Sequence, residues 1–238
     1  MYDKLGFNRQ ILLDLRFREQ LNAITHSIAK PFREITRTDT APPAQPTWAT
    51  LVAGTNVLEF DGNSNFCECA NADTLDLDFL AGDYSLSIWV NITDTGSSEV
   101  IFGRYELNVS GWELYYFNNA GIHIMTIRHH HAGTIVDGQR RSAGSSIGWT
   151  PGNWFHLTVT RVGNTVTMYR DGVALTTTMS TGGVVSPETC AQDLVLGIRF
   201  TKDSDFFQGQ QDKVRIWPRA LTAQEIMIMY ELEKGGYP

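Results

Sequence analysis

The sequence predicts an all-β fold, a two-sheet antiparallel jelly-roll sandwich with one short C-terminal helix. About a dozen short runs alternate between apolar and polar residues, and turn residues separate them at intervals of roughly 8–12 residues. A capping-box pattern occurs near the end of the chain. Strands and helices do not alternate along the sequence, which excludes a doubly wound parallel sheet.

The first part of the chain contains three predicted strands, at 11–17, 31–36 and 57–60. A proline begins the second strand, which is a position that proline tolerates in a sheet. The proline-rich segment 41–46 predicts a loop, because proline cannot donate a hydrogen bond to a central ladder. The Asp-Gly-Asn cluster at 61–63 predicts the turn that ends the third strand.

Alternation is clearest from Tyr84 onwards, where every second residue is apolar up to Val90. Asp171-Gly172 lies between two alternating runs and predicts a hairpin, because a type I′ turn requires positive φ at both central residues. The later strands are predicted at 84–90, 100–104, 112–117, 122–128, 154–160, 165–170, 173–179, 194–198 and 213–217.

One helix is predicted, and it follows the last strand. Thr222 and Glu225 have the spacing of a capping box, in which each side chain accepts a hydrogen bond from the other residue's backbone amide. Leu221 and Ile226 have the spacing of a hydrophobic staple. Glycines at 235–236 predict its end.

Composition limits the possible partners and the location. A net charge of -7 argues against nucleic acid and anionic membranes, because both attract a basic surface. The first residues lack the unbroken apolar stretch of a secretory signal, and no run is long enough to span a membrane. We therefore expect synthesis in a cytosol without a signal peptide, no membrane insertion, and a final location on a virion surface or outside the cell.

The three cysteines, Cys67, Cys69 and Cys190, are an odd number and do not form a disulfide framework. Cys67 and Cys69 would share one face of a strand. We expect buried free thiols, as is common for cysteine, and the alternative is that this pair ligates a metal.

Five groups of residues, in order along the chain, carry a resemblance to a known family. They are the opening LLDLRFRE, PTW and LEFDG, followed by YSLSIWV at 84–90, GNWFHLTVTR at 152–161, VTMYRDGVAL at 166–175 and QDKVRIWPRALTAQEI at 211–226. On these residues the chain resembles the concanavalin A-like and laminin-G-like (pentraxin-like) jelly-roll domains. The resemblance implies one domain at 10–238, with residues 1–9 forming an N-terminal arm outside it.

The resemblance also implies a calcium site, because similar proteins often hold Ca²⁺ near these positions. The candidate ligands are Asp61, Asn63 and Asp212, which offer the oxygen atoms that Ca²⁺ prefers. Asp212 has the parity of Val214 and is expected on the core side of its strand. The alternative is that Asp61 caps its own turn and that Asp212 pairs with an arginine or backbone amides. The family's closing motif has an acidic pair, whereas Lys213 follows Asp212 in this chain.

Catalytic patterns are missing from the sequence, and we predict that the protein is not an enzyme. Glucanases of this fold carry an E-x-D-x-x-E strand that places two carboxylates beside one sugar bond. Glu113 has no acidic partner at the second or fifth position after it. The three histidines at 129–131 are expected at a solvated hairpin end, although His129 and His131 could share a metal.

Two functions remain open from the sequence. The first is a virion decoration protein, such as a phage capsid decoration, attached through protein–protein contacts of Tyr2, Leu5 and Phe7 in the arm, unless this segment is only a frayed terminus. The second is a carbohydrate-binding lectin module, which could be Ca²⁺-dependent, and Trp112 and Trp149 are its candidates because an aromatic ring can stack on the apolar face of a sugar. The alternative for both tryptophans is a core or interface position. The predicted partners are therefore a capsid or a surface glycan, and a homo-oligomer is compatible with either.

Overall fold

The structure is a computed structural model. It describes residues 11–17, 24–27, 29, 33–39, 45–51, 54–93, 96, 98–119, 121–132, 140–146, 150–179 and 184–238. The arm residues Tyr2, Leu5 and Phe7 lie outside the described residues, as does Trp149.

The described residues form seventeen strands and one α-helix. The strands are β1 (Leu13–Leu15), β2 (Ile24–His26), β3 (Glu34–Asp39), β4 (Thr47–Thr50), β5 (Asn56–Asp61), β6 (Asn65–Cys69), β7 (Tyr84–Ile92), β8 (Ser98–Glu106), β9 (Ser110–Asn119), β10 (Ile122–His130), β11 (Arg140–Ser146), β12 (Trp154–Val162), β13 (Thr165–Arg170), β14 (Val173–Ala174), β15 (Thr178–Met179), β16 (Leu194–Leu196) and β17 (Gln208–Trp217). The helix α1 is Ala223–Glu233.

Two antiparallel sheets contain all of these strands. The first sheet has the order β14-β13-β12-β7-β17-β5-β4, and β1 also pairs with β17. The second sheet has the order β15-β11-β10-β9-β8-β16-β6-β3-β2. Strands that pair within a sheet, such as β7 and β17, are far apart in sequence. This connectivity is that of a jelly-roll sandwich, which the sequence predicts.

The core lies between the sheets and follows the predicted alternation. In β7, Leu86 and Ile88 are buried in the central cluster, whereas Ser87 and Trp89 point to the outer face of the first sheet. Aromatic side chains from both sheets, among them Trp112, complete this core. Burying apolar surface in this way contributes about 25 cal/mol per Å² to folding.

Helix α1 covers part of the outer face of the first sheet. Its capping box is confirmed, since Thr222 accepts from the amide of Glu225 and the Glu225 carboxylate accepts from the amide of Thr222. The staple is also confirmed, because Leu221 and Ile226 are buried in one cluster with Trp217 of β17.

The far end of α1 is fixed to the sheet by one buried carboxylate. Glu233 accepts hydrogen bonds from the Trp89 indole at 2.7 Å and from the Arg215 guanidinium at 2.8 Å. Burial would raise the pKa of Glu233, but the nearby charges of Arg215 and Lys213 outweigh it and hold this pKa far below its usual range. Glu233 is therefore ionised at neutral pH and links the end of α1 to the sheet.

Most predicted strands are confirmed within a few residues. The Asp171-Gly172 turn is confirmed with φ values of 52° and 82°. The strand predicted at 11–17 is shorter, and the one predicted at 173–179 is divided into β14 and β15. Four strands were not predicted, namely β2, β4, β6 and β11.

The cysteines are free and buried, as expected. Cys67 and Cys69 face the central core together, and their shared face is confirmed. Burial raises the pKa of Cys69 to about 11, which keeps its thiol protonated at neutral pH.

The prediction that Asp212 faces the core together with Val214 is wrong. A β-bulge interrupts the pairing of β17 with β7 between Asp212 and Arg215, and Lys213 inside it has a φ of 51°. The extra residue shifts the parity of the strand. Asp212 is therefore fully buried on the outer face of the sheet, opposite Trp89.

The solvated end predicted for the histidines at 129–131 is also wrong, because His129 and His130 are fully buried. The Nδ1 atom of His129 lies 2.6 Å from the Val185 carbonyl, and its Nε2 atom lies 2.6 Å from the Tyr84 hydroxyl. Burial lowers the pKa of His129 to about 3. The Nε2 atom of His130 lies 3.1 Å from a Glu113 oxygen. Both rings therefore have structural partners.

Among the described residues, no helix combines the length and the apolar character needed to cross a bilayer.

Candidate functional site

A polar cleft of about 570 Å³ opens on the outer face of the first sheet, beside the area that α1 covers. Its walls come from strands β4, β5, β7 and β17, from the first residue of β6, and from the turns next to them. The lining residues are Thr47, Glu59, Phe60, Asp61, Asn65, Asn91, Thr93, Gly152, Gln208, Gly209 and Gln210.

Four of these lining residues form the floor of the cleft as one row across four neighbouring strands. Thr47 pairs with Glu59, Glu59 with Gln210, and Gln210 with Asn91, and the next partner in this row, Trp154, lies beyond the lining. Adjacent strands lie about 4.8 Å apart, so neighbouring side chains of the row are separated by about that distance. We call Thr47, Glu59, Gln210 and Asn91 the polar row.

The side chains of the polar row are available to a ligand. Glu59 is exposed, and Gln210 and Asn91 are partly exposed. Within the described part of the chain, these three side chains have no hydrogen-bond partner. Together they offer a carboxylate and two amides, which supply both donors and acceptors.

Strand alternation places these residues on the outer face. Leu58 and Phe60 point into the central core, and Glu59 and Asp61 therefore point outwards. Gly209 has a φ of 144°, and a Cβ atom at this position would clash with the carbonyl oxygen of Asn91. Glycine thus allows β17 and β7 to approach closely under the cleft.

Asp61 is engaged by its own loop. Its Oδ1 atom accepts from the amides of Asn63 at 2.9 Å, Ser64 at 3.0 Å and Asn65 at 3.3 Å, and its Oδ2 atom accepts from the Ser64 hydroxyl at 3.0 Å. Partial burial would raise the pKa of Asp61, but these hydrogen bonds outweigh it and lower the pKa. Asp61 is a fixed negative charge at the rim of the cleft.

Aromatic rings close one end of the polar row. Trp154 is 8% exposed. The Tyr237 ring centroid lies 4.9 Å from that of Trp154 and 3.9 Å from that of Trp89. The Tyr237 hydroxyl donates to the Asp212 carboxylate at 2.7 Å. The segment after α1 therefore packs on the outer face of the sheet beside Trp154.

The structure does not bring the three predicted calcium ligands together. Asp61 pairs with Gln208, and Asp212 lies four residues further along β17, a separation of about 13 Å at 3.3 Å per residue. Asp212 accepts from Tyr237 and from the amide of Lys213 instead. Asp61 and Asn63 belong to a turn that is closed by its own hydrogen bonds. These residues do not fit one Ca²⁺ site, and no cluster of three metal-ligating side chains occurs within the described ranges.

The structure also excludes Trp112 as a stacking platform. Trp112 is fully buried between the sheets, and its indole donates to the Leu77 carbonyl at 2.8 Å. Trp112 therefore has the core position that the sequence analysis gave as the alternative to a binding role. Trp149 lies outside the described residues.

Sequence analysis missed Glu59, Gln210 and Asn91. Glu59 and Asp61 do have the spacing of the first two acids in E-x-D-x-x-E, but Ser64 stands at the third acidic position. Gln210 and Asn91 belong to strands that are distant in sequence from Glu59. The alternation around Glu59 was the available signal, since it placed two acids on one outward face.

The match to a family model decides the family of the chain. The model of the concanavalin A-like lectin/glucanases superfamily matches residues 61–227, well over half of the chain. The chain belongs to this superfamily. No curated protein matches it at a significant level.

Solved structures of concanavalin A-like domains have the same fold. The receptor-binding domain of botulinum neurotoxin C/D mosaic serotype superposes with a TM-score of 0.70 at 14% identity, covering 95% of this chain and 52% of that one. This chain therefore spans about half the length of the toxin domain.

A second similar structure is close to the present chain in length. Domain 4 of AbnA, an extracellular arabinanase from Geobacillus stearothermophilus, was solved in complex with arabinotriose. It superposes with a TM-score of 0.67 at 16% identity, covering 93% of this chain and 98% of that one. At such identities the likeness shows the fold alone.

Proposed function

We propose that this chain is a non-catalytic carbohydrate-binding module and that the polar row is the floor of its sugar site. One observation carries the proposal: Glu59, Gln210 and Asn91 stand side by side in a cleft, and their side chains have no partner among the described residues. Such groups would otherwise be hydrated, and a ligand with several hydroxyls can replace that water.

The chemistry of the row suits sugar hydroxyls, which both donate and accept hydrogen bonds. The Gln210 and Asn91 amides provide both functions, whereas the Glu59 carboxylate accepts only. Thr47 adds an exposed hydroxyl at the other end of the row, which can also donate and accept.

The carboxylates of the cleft support binding rather than hydrolysis. Glycosidases need one carboxylic acid that stays protonated and one carboxylate. The lowered pKa of Asp61 keeps it ionised, and Ser64 cannot replace the missing third acid. Glu113 lies in the other sheet and is buried against His130, far from any such pair.

The comparisons support the proposal by analogy. One structure with this fold carries arabinotriose, and another concerns botulinum neurotoxin type C, whose cell entry depends on two ganglioside molecules. Fold analogy alone is a weak argument for function. The cleft provides the independent, local argument.

The test is calorimetric titration of an oligosaccharide panel, including arabinan fragments, into the wild type and Gln210→Ala. We expect a ligand from the panel to bind, and Gln210→Ala to weaken it about fivefold to twentyfold, as for a lost hydrogen bond. Gln224→Ala, on the exposed surface of α1, is the matched control and should bind normally. Equal affinities for all three proteins would overturn the assignment of the site.

Display on a virus particle stays a second proposal and is compatible with sugar binding. Its support is the arm sequence with Tyr2, Leu5 and Phe7, which lies outside the described residues. Deleting residues 1–9 should abolish attachment to the particle, and unchanged occupancy would refute the arm.

A further inference from the structure

The charged residues among the described lining of the cleft are both acidic. Glu59 is exposed on the floor, and Asp61 is held ionised at the rim. Behind the floor, the buried carboxylate of Glu99 accepts from the amide of Gln208 at 3.1 Å. Two carboxylates therefore line the opening, and a third lies buried behind it.

No lysine, arginine or histidine is among the described lining residues. Arg37 is close in space to Thr47, but it is directed to the Pro46 carbonyl at 2.7 Å and to the Trp48 ring. Among the described lining residues, Glu59 and Asp61 are therefore the charged groups that a ligand would meet. A concave site lined by one sign of charge concentrates the field and raises the local concentration of the opposite ion.

We infer that the sugar site selects ligands that carry a protonated amine, and that Glu59 is the residue that selects them. This inference rests on the proposed function. Glu59 is exposed and lines the cleft, with an amide-bearing neighbour, Gln210, directly beside it. An ammonium group bound there would make charge-assisted hydrogen bonds, whereas a uronic acid would meet like charge.

The size of the effect follows from the exposure of Glu59. Exposed ion pairs are weak because water screens them. We therefore expect the glucosamine oligosaccharide to bind about threefold to tenfold more tightly than its N-acetylated form, and a galacturonate oligosaccharide to bind more weakly by a similar factor.

The experiment titrates these three oligosaccharides, equal in length, into the wild type, Glu59→Gln and Glu231→Gln at a pH where the amine is protonated. Glu231 is exposed on α1, so its variant changes the net charge equally without touching the cleft. We expect Glu59→Gln to abolish the preference and Glu231→Gln to retain it.

Each result has a separate meaning. Equal binding of all three sugars by the wild type would overturn the charge selection and leave the sugar site standing. A preference that Glu59→Gln keeps, or that Glu231→Gln loses as well, would overturn the role of Glu59. Binding of polylysine with no binding of any sugar would overturn the sugar site itself.

Discussion

Tyr237 lies flat on Trp89, with ring centroids 3.9 Å apart and an interplanar angle of 14°. Its hydroxyl donates to the buried carboxylate of Asp212. This contact fixes the segment after α1 against the sheet, where the Tyr237 ring also packs against Trp154, the strand partner of Asn91.

Tyr237→Phe should destabilise the protein by about 1–3 kcal/mol, because it removes a hydrogen bond to a buried carboxylate but keeps the stacked ring. Tyr237→Ala should cost more, since it also removes the ring. Urea denaturation measures both. Met227→Ala, on the exposed side of α1, is the control. A Tyr237→Phe variant as stable as the wild type would contradict the role of this contact.

Two buried histidines should make the protein sensitive to mild acid. Burial lowers the pKa of His129 to about 3 and that of His156 to about 4, whereas the unfolded value is about 6.5. The unfolded chain therefore binds more protons below pH 6.5, and stability is lost as the pH falls towards 4. Above about pH 6.5 the full stability is present.

The slope should approach about 1.4 kcal/mol per pH unit for each histidine. Urea denaturation between about pH 6.5 and 5 measures this slope, because carboxylates with ordinary pKa values titrate only at lower pH. His156→Gln should reduce the slope, and His131→Gln, at a partly exposed position, should not. A flat profile in this range would show that these rings are not held neutral.

Gly209→Ala should destabilise the fold by more than about 2 kcal/mol and disrupt sugar binding. The added Cβ atom would clash with the Asn91 carbonyl at a φ of 144°. Gly235→Ala is the matched control, because a Cβ atom there meets nothing within 4 Å. A stable Gly209→Ala variant would mean that β17 and β7 are less close than described.

Removal of Ca²⁺ should leave the melting temperature unchanged, because Asp61, Asn63 and Asp212 do not form one site. The measurement is a thermal melt with chelator and with added Ca²⁺. A metal that binds only the folded state would raise the midpoint. A clear rise with Ca²⁺ would restore the calcium hypothesis.

Much of the fold could be predicted because period-two alternation marks any strand with one buried face. It identified β7 and the hairpin at Asp171-Gly172 correctly. It missed β11, whose sequence RRSAGSS has no apolar alternation, and it could not show the bulge at Lys213 that turns Asp212 outwards. A single inserted residue changes the face of the sheet to which the neighbouring side chains point, and the amino-acid composition of the strand does not reveal it.

The site was harder to predict than the fold. Glu59 and Gln210 become neighbours only through the register of β5 with β17, which the sequence between them does not specify. One of the two tryptophan candidates, Trp112, is buried, as its alternative had it, because an aromatic ring in a strand can pack in the core as readily as it can contact a ligand.

The most direct measurement is titration of the oligosaccharide panel into the wild type, Gln210→Ala and the control Gln224→Ala. Our account predicts that a sugar binds the wild type and the control alike and binds Gln210→Ala about fivefold to twentyfold more weakly. Equal affinities of the wild type and Gln210→Ala for the sugar, or no binding of any sugar by the folded wild type, would contradict it.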